Sequence, residues 1–215
     1  MNKTLLITRP KYDVTVHYLF YWSKKIIELA QEKGVIVWNL EGKRANCKEV
    51  ESMLIKKEPS LVFFNGHGDD DCITGQDDEM LLIVGKNEEL LKSKIAHALS
   101  CRSGKKLGSE SIKKGAIGYI GYDDDFYFVF DPDKISTPLR DGVARLFLEP
   151  SNQVMICLIK GHSIRHAHER SKKIFINNAR ELVNSESEQS YLIPYLLWDM
   201  QHQVCLGDKN ASLSN

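Results

Sequence analysis

The chain has no excess of charge of either sign: 29 Lys and Arg stand against 29 Asp and Glu. Without a basic surplus it lacks the electrostatic footprint by which proteins hold nucleic acid or an anionic membrane. Long apolar runs are missing as well. The opening stretch MNKTLLITRP holds only Leu5-Leu6-Ile7, far short of a secretory core, and no segment approaches membrane-spanning length. A cytoplasmic location is expected, with neither nucleic acid nor membrane as a partner. The five cysteines, Cys47, Cys72, Cys101, Cys157 and Cys205, are an odd number without a Cys-x-x-Cys pair. That pattern excludes a disulfide framework and a zinc knuckle, and leaves reduced thiols, one of which can be reactive. Internal repeats and low-complexity tracts are also lacking.

A length of 215 residues suits one domain with a substantial core. Short apolar runs alternate with helical periodicity, the pattern of strand-helix-strand units around a mainly parallel sheet. Residues 4–9 read as the first strand. Val16, Leu19, Phe20, Ser23, Ile26, Ile27 and Ala30 then recur at helical spacing, and Gly34 closes that helix. The second strand is 35–40. Asn46 and Glu49 form a capping box for a helix that stops before Pro59, and 61–64 is the third strand. A hairpin or irregular excursion covers 72–94, followed by strands at 95–101 and 116–122. The run VMICLI (154–159) reads either as a sixth strand or as a buried helix segment. Helical spacing returns from Ile164 to Val183, and the polar patch 184–190 separates it from a terminal apolar stretch. One domain over 1–208 and a disordered tail over 209–215 are expected.

Two strand ends carry reactive groups: His67 after LVFFNG and Cys101 after IAHALS. Parallel open sheets collect catalytic groups beyond the carboxyl ends of their strands, and the spacing allows a crossover between parallel neighbours. A thiol beside an imidazole supplies a nucleophile and its proton partner. The N–H of Gly68, with no side chain in the way, can join that of Cys101 as an oxyanion hole. Taken singly, a cysteine ending a strand also fits inert packing, and a His-Gly pair also fits a plain turn.

FFNGHG followed by ALSCRSGKKLG resembles the His-Gly and small-residue-Cys signatures of caspase-fold (clan CD) cysteine peptidases, in particular the gingipain-type and CHAT-like branches. GAIGYIGY (115–122) and the terminal WDMQHQVCLGDKNASL (198–213) resemble later elements of those domains. The likeness implies a three-layer α/β/α sandwich with a mainly parallel central sheet of about six strands. It further implies a cysteine endopeptidase in which Cys101 attacks the scissile carbonyl and His67 protonates the leaving amine. The Gly68 and Cys101 amides would hold the oxyanion, without metal or organic cofactor. Ser100 stands where the family often has alanine, and Lys209 where it has proline.

In that family the first specificity pocket is lined by the loop after strand one and by loops beyond the cysteine and the following strand. Arg9 and Asp13 occupy the first of these, and Asp123, Asp124 and Asp125 lie in the last. An acidic pocket selects Lys or Arg and an exposed Arg9 selects acids; the number of acids favours a basic residue. The substrate is then a protein or peptide. Free activity in a cell would be harmful, so control by a partner, self-association, an ion or processing is expected.

Weaker features remain. The acidic 68–79 loop departs from the calcium-loop pattern, His162, His166 and His168 lack a carboxylate motif for a metal, and SGKKLGSES lacks Walker spacing. Two rival readings stay open. One is a non-catalytic caspase-fold module that binds partners; the other is an α/β hydrolase or acyltransferase, which lacks the glycine elbow around Cys101.

Overall fold

A computed structural model describes residues 3–184 and 188–213. The chain opens with β1 (Thr4–Arg9), every residue of which is buried. Helices α1 (Val14–Trp22) and α2 (Lys24–Glu32) follow, then β2 (Ile36–Glu41), α3 (Cys47–Lys57) and β3 (Leu61–Asn65). The predicted helix over 16–30 is thus two. It breaks at Ser23, whose hydroxyl bonds the Phe20 carbonyl and accepts from Arg9. The Asn46 cap forms as expected: its side chain accepts the Glu49 N–H at 2.9 Å. At the other end of α3, Glu58 turns left-handed (φ 45°) ahead of Pro59.

Beyond β3 the 68–83 stretch folds into three short antiparallel strands, β4 (Gly68–Asp69), β5 (Cys72–Thr74) and β6 (Met80–Ile83). The chain then re-enters the main sheet as β7 (Ile95–Leu99), passes through α4 (Leu107–Lys113) and forms β8 (Gly118–Tyr122). An irregular segment leads to α5 (Gly142–Ile159), α6 (Ile164–Asn184), α7 (Ile193–His202) and β9 (Gln203–Gly207). The main sheet has the order β2-β1-β3-β7-β8-β9, parallel throughout except for β9 against β8.

Alternation along the strands sorts side chains to two faces. Leu5, Ile7, Leu61, Phe63, Ile95 and Ile120 pack with residues of α1, α2, α5 and α6, whereas Leu6, Val62, Phe64, Ala96, Ala98 and Tyr119 pack with α3, α4 and the small sheet. Helices on both faces explain why the central strands read as unbroken apolar runs. The architecture is the expected α/β/α sandwich with six strands.

Of the two readings open for 154–159 the buried helix holds: the run lies inside α5, and the sixth strand is β9. Val154, Met155, Cys157, Leu158 and Ile159 are buried there on more than one side, which erases helical periodicity. Residues 209–213 are not a free tail: the carbonyls of Lys209 and Ala211 accept the Arg165 and Ile164 N–H groups at the start of α6. Those N–H groups have no partner within the helix, so the terminal segment satisfies them. Residues 185–187 of the polar patch, and 214 and 215 of the tail, lie outside the described residues. No described helix is long and apolar enough to cross a membrane.

Candidate active site

β3 and β7 run parallel in register from Leu61 opposite Ile95 to Asn65 opposite Leu99. His67 and Cys101 each lie two residues past that last pair, so the register alone sets them at matching heights on adjacent strand ends. Gly66 N–H reaches the Leu99 carbonyl at 3.4 Å and extends the contact beyond the strands. The two loops then meet backbone to backbone: a Cβ on Gly68 would stand 2.8 Å from the Cys101 carbonyl oxygen and 3.1 Å from Ser100 Cβ. Only glycine fits there.

The histidine loop is braced from below by the small sheet. Thr74 N–H donates to the His67 carbonyl at 2.9 Å, and Gly68 pairs with Ile73. In that pattern the Gly68 N–H stays outside the ladder. From the other side comes Asp13, the N-cap of α1. Its Oδ1 accepts the Val16 N–H at 2.9 Å, and its Oδ2 lies 2.7 Å from His67 Nε2. Because a carboxylate only accepts, Nε2 carries a proton, so in the neutral tautomer the lone pair is on Nδ1. Tyr12 sets its ring edge toward the imidazole at 6.2 Å. A cavity of about 320 Å³, lined by Lys11, Tyr12, Asp13, Val14, His17 and Ile135, opens beside this pair.

Cys101 is held differently. Its Sγ lies 3.9 Å from the Phe126 carbonyl oxygen, and no hydrogen bond joins it to His67. Burial pushes the thiol up from its ordinary value, outweighing the opposing pull of the Phe126 backbone contact and the Arg102 guanidinium, so at rest the sulfur is protonated. The next residue, Arg102, turns left-handed (φ 53°) and ties three loops together. Its guanidinium is 3.2 Å from Asp69 and 3.2 Å from Asp125, and its N–H donates to the Asp124 carbonyl. Ser100, the departure from alanine, is accommodated by a 2.7 Å bond to Ser103, which also accepts from Tyr119.

The structure redistributes the predicted pocket residues. Arg9 is withdrawn: it is buried, donates to the Phe20 carbonyl and Ser23, pairs with Glu41 and stacks on Phe20 at 4.0 Å. Asp13 is bound to His67. Asp123 meets His202 Nδ1 at 2.8 Å, Asp124 accepts the N–H of Asp125, and Asp125 pairs with Arg102. The acids of the 68–79 loop are likewise matched in part by lysine: Asp70 meets Lys105 at 3.0 Å and Asp71 meets Lys106 at 3.9 Å. His162 and His166 stack at 4.4 Å, and among the described residues no cluster of three or more metal-ligating side chains forms.

One acid was not singled out from the sequence. Asp199 on α7 is fully buried; its Oδ1 accepts the Tyr127 N–H at 2.9 Å and its Oδ2 has no partner. Burial drives its carboxyl well above the ordinary range. The signal was there: Leu192, which caps α7, and Leu196 and Asp199 within it recur at helical spacing and are all buried, an acid inside an apolar stripe.

No family model and no curated sequence matches the chain. Solved structures do. The Arg specific cysteine proteinase gingipain R (RgpB) superposes with a TM-score of 0.59 at 11% identity, covering 98% of this chain and 47% of that one. A complex of the Porphyromonas gingivalis RgpB pro- and mature domains gives 0.58 at 11%, covering 97% and 47%. A further protease structure gives 0.56 at 16%, covering 98% and 48%. The chain therefore spans about half the length of the structures it matches. At such identities the likeness is one of fold, and that fold is caspase-like, shared with the gingipain cysteine proteinases.

Proposed function

We propose that the chain is a cysteine endopeptidase working through a His67–Cys101 dyad, with a preference for cleavage after a basic residue. The observation that carries this reading is the β3–β7 register, which brings a histidine and a cysteine to matching strand ends with Gly68 packed on the Cys101 carbonyl. In the reaction His67 Nδ1 takes the thiol proton as Sγ bonds to the scissile carbonyl carbon. The oxyanion is met by the Gly68 and Cys101 N–H groups. The imidazolium then protonates the leaving amine, and water attacks the resulting thioester with His67 as base. Asp13 is a positioning residue: it fixes the tautomer and stabilises the imidazolium.

The basic preference is supported by the Arg specificity named for the gingipain R neighbour. The thiol that burial keeps protonated, lying against the Phe126 carbonyl, favours a latent resting state, and it also suits the second reading, a non-catalytic module that binds protein partners through this cleft. Acyloxymethyl ketone probes carrying Lys, Arg or Asp separate the two. Covalent labelling that disappears in Cys101→Ala and falls in His67→Ala supports the peptidase, and the best probe reports the pocket charge. An absence of labelling under every ion and partner condition would leave the binding module.

A further inference from the structure

Away from the strand ends, α6 and α7 carry a second surface. α6 buries one stripe, from Ile164 through Phe175 to Leu182, and elsewhere bears Arg165, Arg170, Lys172, Lys173 and Arg180 against only Glu169 and Glu181. Among the described residues none of these five cations sits in an ion pair; the cations that do pair lie on other elements.

Two hollows run together on this face. One, of about 520 Å³, follows α6 past Lys172, Lys173 and Arg180; the other, of about 270 Å³, lies between Ile176, Ala179 and Val183 of α6 and Ile193 and Leu197 of α7. Ile176 and Arg180 border both, so they form one groove, basic at one end and apolar at the other. Val183 is 60% exposed and Leu197 41%, which leaves the apolar end open to water.

We propose that this groove docks an acidic peptide segment of a partner protein, its carboxylates on Lys172, Lys173 and Arg180 and one large apolar side chain seated between α6 and α7. The inference stands apart from the dyad reading. It concerns a different face, and it supplies a surface for the partner expected to control the chain.

Charge selects the occupant. The three groove cations outnumber the one groove acid, Glu169, and His168 adds no charge, because burial lowers its pKa and its Nε2 is held at the Gln203 carbonyl. Carboxylates are the complement of such a row. Spacing gives the peptide a pattern. Lys172 and Arg180 are two turns apart, about 12 Å, which acids three or four residues apart span on an extended chain. Val183 lies one turn beyond Arg180, so the apolar anchor falls one or two residues past the second acid. Shape disfavours other polyanions. A lipid surface has no single side chain to fill the smaller hollow, and duplex DNA carries a charge every ~1.7 Å of its axis, far denser than this row.

The groove also borders the candidate active site through α7. Trp198 Nε1 donates to the Asp125 carbonyl at 3.0 Å and His202 meets Asp123 at 2.8 Å, on the segment whose Phe126 carbonyl lies against Cys101 Sγ. A partner in the groove touches the helix that holds that segment.

The probe is a panel of fluorescein-labelled nonapeptides. Each has two Glu three or four residues apart and one Phe one or two residues outside them, in both chain directions, with Gly and Ser elsewhere; binding is read by anisotropy. At least one pattern is expected to bind with a Kd below about 1 mM. Replacing its Phe by Ser should weaken binding roughly 10- to 100-fold, the factor carried by burying one such side chain. On the protein, the triple reversal Lys172→Glu, Lys173→Glu and Arg180→Glu should abolish binding, as should Val183→Asp with Leu197→Asp. Lys56→Glu with Lys57→Glu, exposed on α3, should leave it unchanged. All are surface changes, and circular dichroism checks that the fold is kept.

Binding that survives either groove variant, or no binding below about 1 mM by any peptide, overturns the proposal. So does sedimentation with phosphatidylserine vesicles, lost in the triple reversal, by a chain that takes up no peptide; that result assigns the face to a membrane. Turnover is not read in these assays. Docking by a chain that cleaves nothing sinks the dyad reading alone, and cleavage by a chain that docks nothing sinks the groove alone.

Discussion

Asp13 and His67 lie 54 residues apart in sequence and meet at 2.7 Å. The same carboxylate caps α1, so one side chain both starts a helix and orients the imidazole. The two roles separate by substitution. Asn is as good a cap as Asp. Asp13→Asn is therefore expected to leave stability nearly unchanged while lowering kcat roughly 10²- to 10⁴-fold, through the wrong tautomer and an unsupported imidazolium. Asp13→Ala is expected to lose the same activity and about 1 kcal/mol of stability besides. Urea titrations alongside peptide turnover check both.

Gly68 is the contact between the His67 and Cys101 loops. A methyl group there meets the Cys101 and Cys72 carbonyl oxygens at 2.8 and 3.0 Å, both of them backbone atoms that cannot rotate away. Gly68→Ala is expected to cost roughly 1–3 kcal/mol of overpacking strain. Because the strain falls on the amides proposed to hold the oxyanion, turnover should drop more than the stability loss explains. Assays well below the melting temperature separate the two effects.

His97 sits in the middle of β7, fully buried and stacked on Phe63, with Nδ1–H on the Ile120 carbonyl. Burial lowers its pKa to about 4 from 6.5. The unfolded chain therefore takes up a proton that the folded chain refuses, and stability is lost as the pH falls through that window. From pH 7 to pH 5 the loss from this one group is about 2 kcal/mol. His97→Gln should flatten the slope, as read by urea unfolding at the two pH values.

Asp199 gives the opposite sign. Its folded carboxyl keeps its proton well above the ordinary range because it is buried. Above that range the unfolded chain ionises and the folded chain does not, so stability falls as the pH rises toward the folded value. Asp199→Asn removes the penalty and is expected to be the more stable protein, by a margin that grows from pH 5 to pH 8. Thermal unfolding across that range checks it.

Local signals were sufficient where structure depends on neighbours in sequence. The Asn46 cap, β1, β3 and β7 fall close to where the apolar runs and capping residues place them. They were insufficient where burial comes from several sides. The apolar 154–159 run could not be told from a strand because α5 packs against the sheet and α6 at once. β9 was hidden in a terminal stretch read as one piece, since its pairing partner β8 lies far back in the chain.

For the site, the sequence by itself determined that a histidine and a cysteine end two apolar strands beside small residues, because strand ends, glycines and reactive side chains are local features. Which charges face which was decided only by tertiary packing. Arg9 became a buried structural cation, Asp13 a hydrogen-bond partner of His67, and Asp199 a buried acid with one oxygen left without a partner. An acid's role depends on its burial and on what stands within about 4 Å of it, and those neighbours are brought in from distant parts of the chain by the sheet and helices.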